Sequence, residues 1–143
     1  MFIKQESVFI ENKAGRLSEI LNVLGENQID ISALSIAETT EFGVLRMIVS
    51  DPEKAKQKLR ESGVIVKTTD VIGMVVEDKP GALAKEIALL SENGVTVEYS
   101  YAFLGSNNKG ALVVLRADDQ EKAEKVLLSN GIGIIKPNEI YRV

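Results

Sequence analysis

Glu77-Asp78-Lys79-Pro80-Gly81-Ala82-Leu83 lies between an apolar run, residues 71–76, and a segment whose apolar residues recur with a helical period. Sixty-six residues earlier the chain reads Glu11-Asn12-Lys13-Ala14-Gly15-Arg16-Leu17, again after an apolar run and again before a helical pattern. A strand-to-helix turn with glycine at a fixed place leaves the first helical amides without intrahelical partners and lets a ligand approach the backbone closely. Those amides, backed by the positive end of the helix dipole, favour a carboxylate or other anion. The sequence therefore reads as a binding module in two copies.

Working outward from the two stretches, the alignment of Gly15 on Gly81 pairs Glu11 with Glu77, Lys13 with Lys79, Leu17 with Leu83, Leu24 with Leu90, Glu26 with Glu92 and Asn27 with Asn93. After a one-residue shift Gly43 meets Gly110 and Leu45 meets Leu112. After one more, Glu53-Lys54-Ala55 meets Glu121-Lys122-Ala123, Leu59 meets Leu127 and Gly63 meets Gly131. Apolar, glycine and cap positions keep their order throughout, as an internal duplication requires. It divides the 143 residues into domains 1–70 and 71–143.

Each copy reads strand, helix, strand, strand, helix, strand. In the first, residues 2–11 have strand composition, and Leu17, Ile20, Leu21 and Leu24 then recur at i, i+3, i+4 and i+7, the spacing of one helix face. Ile29, Ile31 and Ala33 alternate, but Leu34 and Ile36 continue with the opposite parity, which predicts a bulge or a sheet apolar on both faces. A turn at residues 39–43 leads into a third strand, 44–49. Asp51 and Pro52 supply an N-cap and first residue for the second helix, Gly63 its C′ stop, and residues 64–67 the fourth strand. In the second copy Val95, Val97, Tyr99, Tyr101 and Phe103 alternate, residues 105–110 form a hairpin loop, and Asn130-Gly131 ends the last helix. The join Lys67-Thr68-Thr69-Asp70 is short and lacks Gly and Pro, so the copies are expected to share an interface. The result is an α+β fold, two helices covering one face of a four-stranded antiparallel sheet in each copy.

Composition narrows the function. With 45% apolar and 27% charged residues the chain has the makings of a packed core. The net charge of -4 is evenly spread, 9 Lys+Arg against 11 Asp+Glu in residues 1–70 and 8 against 10 in 71–143, so no basic tract points to nucleic acid or an anionic membrane. Cysteine and histidine are both absent. That removes disulfides, thiolate chemistry, the commonest general base and the commonest transition-metal ligand. There is no secretory leader pattern and no run of 18 apolar residues, so a cytoplasmic location is expected.

The two stretches carry a family resemblance. Asn12-Lys13-Ala14-Gly15-Arg16-Leu17 and Asp78-Lys79-Pro80-Gly81-Ala82-Leu83 each precede a helix and then Asn27-Gln28-Ile29-Asp30-Ile31 or Asn93-Gly94-Val95-Thr96-Val97. In this setting both copies resemble the ACT domain, a ferredoxin-like βαββαβ regulatory module of amino-acid metabolism, and the chain resembles a free-standing tandem-ACT protein. The second copy carries the family's Asp-x-Pro-Gly-x-Leu pattern in full; the first has Ala14 where Pro is usual, which leaves its loop less constrained. The resemblance implies two ACT units packed side by side, antiparallel sheets with helices on one face. It also implies a free amino acid held between the first loop of one unit and the second strand of its neighbour. The ligand-binding residues it implies are Asn12, Lys13, Ala14, Gly15, Arg16 and Leu17 with Ile29 and Ile31, and Asp78, Lys79, Pro80, Gly81, Ala82 and Leu83 with Val95 and Val97. The α-carboxylate would meet the helix-start amides while Asn12 or Asp78 accepts from the ammonium. A homodimer, no cofactor and a regulated enzyme or other protein target complete the expectation.

Plainer readings stand beside these. Gly15 and Gly81 serve a tight turn equally well, with Asn12 and Asp78 as N-caps or solvated loop residues. Arg46 is read as a cross-strand partner of Glu38 or Glu41, with a clamp on a ligand carboxylate as the alternative. Tyr99 and Tyr101 read as packing, with a rim hydroxyl in reach of a ligand as the alternative, and Asp118-Asp119 as helix capping rather than a metal site. An enzyme lacks its usual residues here, and an RNA-binding domain of the same element order needs third-strand aromatics that residues 43–49 and 110–116 do not supply. A protein-interaction module with no metabolite ligand is the alternative function.

Overall fold

The structure, a computed structural model, describes residues 2–38, 41–104 and 110–140, without the side chain of Glu38. The chain divides into two compact α+β units. One comprises Lys4–Thr69 and, at the other end of the chain, Ile140; the other comprises Asp70–Glu139 together with residues 2 and 3.

The first unit contains β1 (Ile3–Glu11, all but its first residue), α1 (Arg16–Glu26), β2 (Ile31–Glu38), β3 (Phe42–Val49), α2 (Pro52–Glu61) and the beginning of β4 (Ile65–Val76). Its strand order is β2-β3-β1-β4, with β3 antiparallel to both β1 and β2. Val8 of β1, Leu45, Met47 and Val49 of β3 and Val66 of β4 point to one face, where Ile20 and Leu24 of α1 and Ala55 and Leu59 of α2 meet them. This is what the period-2 and period-3.6 patterns demand of a sheet covered by two helices. Complete burial of a side chain such as Leu24 or Leu59 contributes about 1.5–3 kcal/mol. The change of parity in the second strand is a register irregularity between Ile31 and Ala33.

The second unit repeats the plan with the rest of β4, then α3 (Ala82–Glu92), β5 (Val97–Ala102), β6 (Ala111–Ala117), α4 (Gln120–Ser129), β7 (Ile134–Ile135) and α5 (Pro137–Ile140, up to Glu139). Its strands run β7-β4-β6-β5, all pairs antiparallel. Ile72, Met74, Leu90, Leu115, Ala123 and Leu127 centre its core. A second irregularity, between Val97 and Tyr99, stands where the first unit has its bulge. Alternation of apolar residues on both sides of it left no phase change to read in the sequence.

Helix ends follow their local signals. The Lys54 amide donates to the Asp51 carboxylate at 3.2 Å, with Pro52 at the first helical position, and the Lys122 amide donates to Asp119 at 3.1 Å. Gly63 and Gly131 take the left-handed conformation after α2 and α4 (φ 81° and 75°). One expectation needs correction. The join at residues 67–70 is strand, because Ile65, Val66 and the two threonines continue the β-forming pattern and nothing breaks it. The short α5 was not expected; it starts at Pro137, where the Lys136 amide donates to Glu139 Oε1 at 3.2 Å. The turn at 39–40 and the hairpin loop at 105–109 lie outside the described residues. No described helix is long and apolar enough to cross a membrane.

Candidate functional site

Gly15 and Gly81 occupy the N-cap positions of α1 and α3 in the left-handed conformation, φ 88° and 85°. An L side chain is strained there, and a Cβ built at either glycine would find no atom within 4 Å, so open space faces both turns. Unlike α2 and α4, these two helices receive no side-chain cap. The helix starts make local bonds: Arg16 N–H to Lys13 O and Glu19 N–H to Gly15 O in one, Ala82 N–H to Lys79 O and Lys85 N–H to Gly81 O in the other. Between them the amides of Leu17 and Ser18, and of Leu83 and Ala84, have no backbone partner among the described residues. Two neighbouring donors at the positive end of a helix are a place for an anion.

The flanking charges are duplicated as well. Lys13 Nζ is 2.9 Å from Glu11, and Lys79 Nζ is 2.7 Å from Glu77. Their lysines hold both carboxyls below the usual range by hydrogen bond and charge. The pairs are exposed and add little stability, but they tie each loop to the strand before it. In the first loop the Asn12 amide also donates to Glu41 O at 3.0 Å.

The family follows from the whole chain: residues 1–143 match the model of the ACT domain pair. The chain belongs to the ACT family. Among solved structures, protein BT0572 from Bacteroides thetaiotaomicron is 43% identical, with a TM-score of 0.92 over 100% of this chain and 98% of that one. The ligand-free regulatory subunit of aspartate kinase from Thermus thermophilus shares the fold at 15% identity, with a TM-score of 0.62 over 88% of this chain and 90% of that one. Aspartate kinase from Synechocystis does so at 18% identity and a TM-score of 0.60, covering 95% of this chain and 27% of that one. No curated protein matches the sequence.

Within each ACT unit the loop residues come together as one turn, with Asn12, Lys13, Ala14 and Gly15, and Asp78, Lys79, Pro80 and Gly81, all exposed. Arg16 pairs with Glu19 at 3.1 Å. Leu17 and Ala82 pack partly against the core of their own unit, whereas Leu83 is exposed. The second-strand candidates face inward: Ile29 and Val95 are buried core residues, and Ile31 and Val97 pack against the same cores. Their side chains are thus occupied at home. Arg46 sits opposite Ser7 and Ser35 in the ladder, while Glu38 is opposite Gly43. Tyr99 and Tyr101 are half-buried on β5, and Asp118 and Asp119 accept backbone amides from Thr96 and Lys122.

Sequence reasoning passed over two groups. Glu6, on β1, is fully buried, and the Thr68 hydroxyl lies 3.0 and 3.2 Å from its two carboxylate oxygens. Its pKa is pushed up to about 7, chiefly by burial. Phe9, Phe42 and Ile65 are exposed large apolar side chains that line one groove of about 210 Å³ in the first unit. The duplication held a signal for both groups, since Phe9 aligns with Val75, Ile65 with Gly133, and Glu6 with the apolar Ile72.

Proposed function

We propose that this ACT pair is a regulatory module that binds a free amino acid at its first loops, the α-carboxylate meeting the helix-start amides and a second ACT unit closing the other side. The observation that carries the reading is the contrast in capping. Helices away from the loops have an aspartate on the third-residue amide, at Lys54 and Lys122, whereas the corresponding amides of Ser18 and Ala84 are left to an outside acceptor behind a left-handed glycine. Asn12 and Asp78, six residues before those amides on the same exposed loops, offer an oxygen to the ammonium. The name of the Thermus thermophilus neighbour, a regulatory subunit, agrees with a regulatory role.

A thermal-shift screen of the twenty amino acids tests this. A ligand at about 100 times its Kd stabilises the fold by about 2.7 kcal/mol. Gly81→Asn, which tolerates the left-handed turn but places an amide side chain in the open space, should abolish that shift at its loop. The second reading, a module that docks on another protein without a metabolite, draws on Phe9, Phe42 and Ile65, since clustered exposed apolar side chains mark contact surfaces. A screen with no stabilising amino acid would favour it.

A further inference from the structure

The second unit contains a groove of about 770 Å³ between α3 and the turn that follows α4, floored by Val75, Leu89 and Ile132. Ligand pockets commonly fall in the range of roughly 300–1,000 Å³. Glu77, Lys79 and Ala82 of the loop segment line it while Asp78, Gly81 and Leu83 do not, so the groove adjoins the first loop and runs from it along α3. The matching groove of the first unit has about 210 Å³.

The difference comes from aligned residues. Phe9, Arg16 and Ile65 in the first copy are Val75, Ala82 and Gly133 in the second, each smaller, and buried Ile20 is replaced by Glu86. One copy narrows the space with larger side chains, apolar apart from Arg16, and the other opens it and introduces a carboxylate. Glu86 Oε2 is shut off from solvent and has no hydrogen-bond partner among the described residues. Lys79, the nearby cation on the loop, is held by Glu77 at 2.7 Å, and the side chain of Lys85 is exposed. A buried acceptor without a donor is costly, and an N–H group that meets the oxygen once the half-buried Glu86 side chain turns into the groove it lines relieves that cost. Burial, and then the charge of Glu77, push the Glu86 pKa upward, as an uncompensated carboxyl requires.

We propose that this groove is a second small-molecule site, taking a primary ammonium compound with a short apolar body, the ammonium on Glu86 and the body on Val75, Leu89 and Ile132. The site does not depend on the amino-acid reading of the loops. Titration of the ¹⁵N-labelled full chain with n-pentylammonium chloride at mildly alkaline pH, followed by amide NMR, tests it. Saturable shifts are expected at residues 85–89 and 130–133, unchanged in affinity by Asp78→Ala. Glu86→Gln keeps the side chain's shape and should weaken binding about tenfold or more, the loss expected for a charge-assisted bond. Val75→Phe, which copies the first unit, should remove the shifts while the rest of the spectrum is retained, and 1-pentanol should bind about tenfold or more weaker than the amine. Equal affinity in Glu86→Gln, shifts confined to residues 78–84, or no saturable shift in the wild type would each overturn the proposal.

Discussion

Glu6 is the residue whose chemistry departs most from its surroundings. Burial raises its pKa from 4.5 to about 7, with Glu53 adding to the rise and the Thr68 hydroxyl, Lys56 and Arg60 opposing it. Between these two pH values the folded state binds more protons at this group than the unfolded state. Its contribution to stability is therefore fully present below about pH 4.5 and lost as pH rises to about 7. Glu6→Gln should remove that dependence and stabilise the fold above neutral pH by on the order of 2–3 kcal/mol. Urea denaturation of both proteins across this pH range reads the difference, and parallel curves would mean that Glu6 stays charged at no cost. At the loops, Asn12 and Asp78 differ in charge while sharing exposure and position, so their alanine variants should differ in affinity for the amino acid found by screening. The variant at a working loop should lose on the order of 1–3 kcal/mol by calorimetry, and the one at an idle loop almost nothing. Equal, unchanged affinities would remove both residues from the site.

Elements explain what the sequence could and could not disclose. Helices were legible because caps and stops are local: Asp51-Pro52, Gly63 and Asn130-Gly131 carry their geometry within a turn. The loops were legible as turns, since Gly15 and Gly81 take the left-handed conformation that only glycine adopts freely. The neighbour of each second strand was not, because Ile29, Ile31, Val95 and Val97 have the same apolar character whether they face their own core or another unit. The irregularity at Val97 and Tyr99 was hidden for a similar reason. Gly73 in β4 shows a contact that no local pattern announces. A Cβ there would lie 2.7 Å from Ile3 Cδ1 and 3.4 Å from Ile135 Cβ. Residues 3 and 73 are seventy apart in sequence yet belong to the same unit. Gly73→Ala should destabilise by about 1–3 kcal/mol through overpacking, and Ile3→Val, which deletes the clashing methyl, should recover part of that loss in the double variant. Additive losses in denaturant titrations would show that the clash is relieved elsewhere.

The molecule as a whole is one plan executed twice and then altered. The duplication gave the fold away, because agreement between two stretches of one chain constrains element order more strongly than either stretch alone. It also marked where the copies part, at Ile20 and Glu86 or Phe9 and Val75, although their meaning needed the grooves to be seen. A homodimer is expected from the exposed apolar side chains of a chain this small, and light scattering at tens of micromolar should return twice the chain mass. A single-chain mass would oppose it. The unequal capping of the four long helices has a consequence for isotope labelling. Amides without an internal acceptor exchange their hydrogens with deuterated water fastest, so the amides of Leu17, Ser18, Leu83 and Ala84 should label ahead of those of Lys54 and Lys122. When an amino acid is added, slower uptake in one peptide and not in its twin identifies the loop in use, and slower uptake in both means that the two loops are occupied together. Each copy thus serves as the other's blank within a single digest.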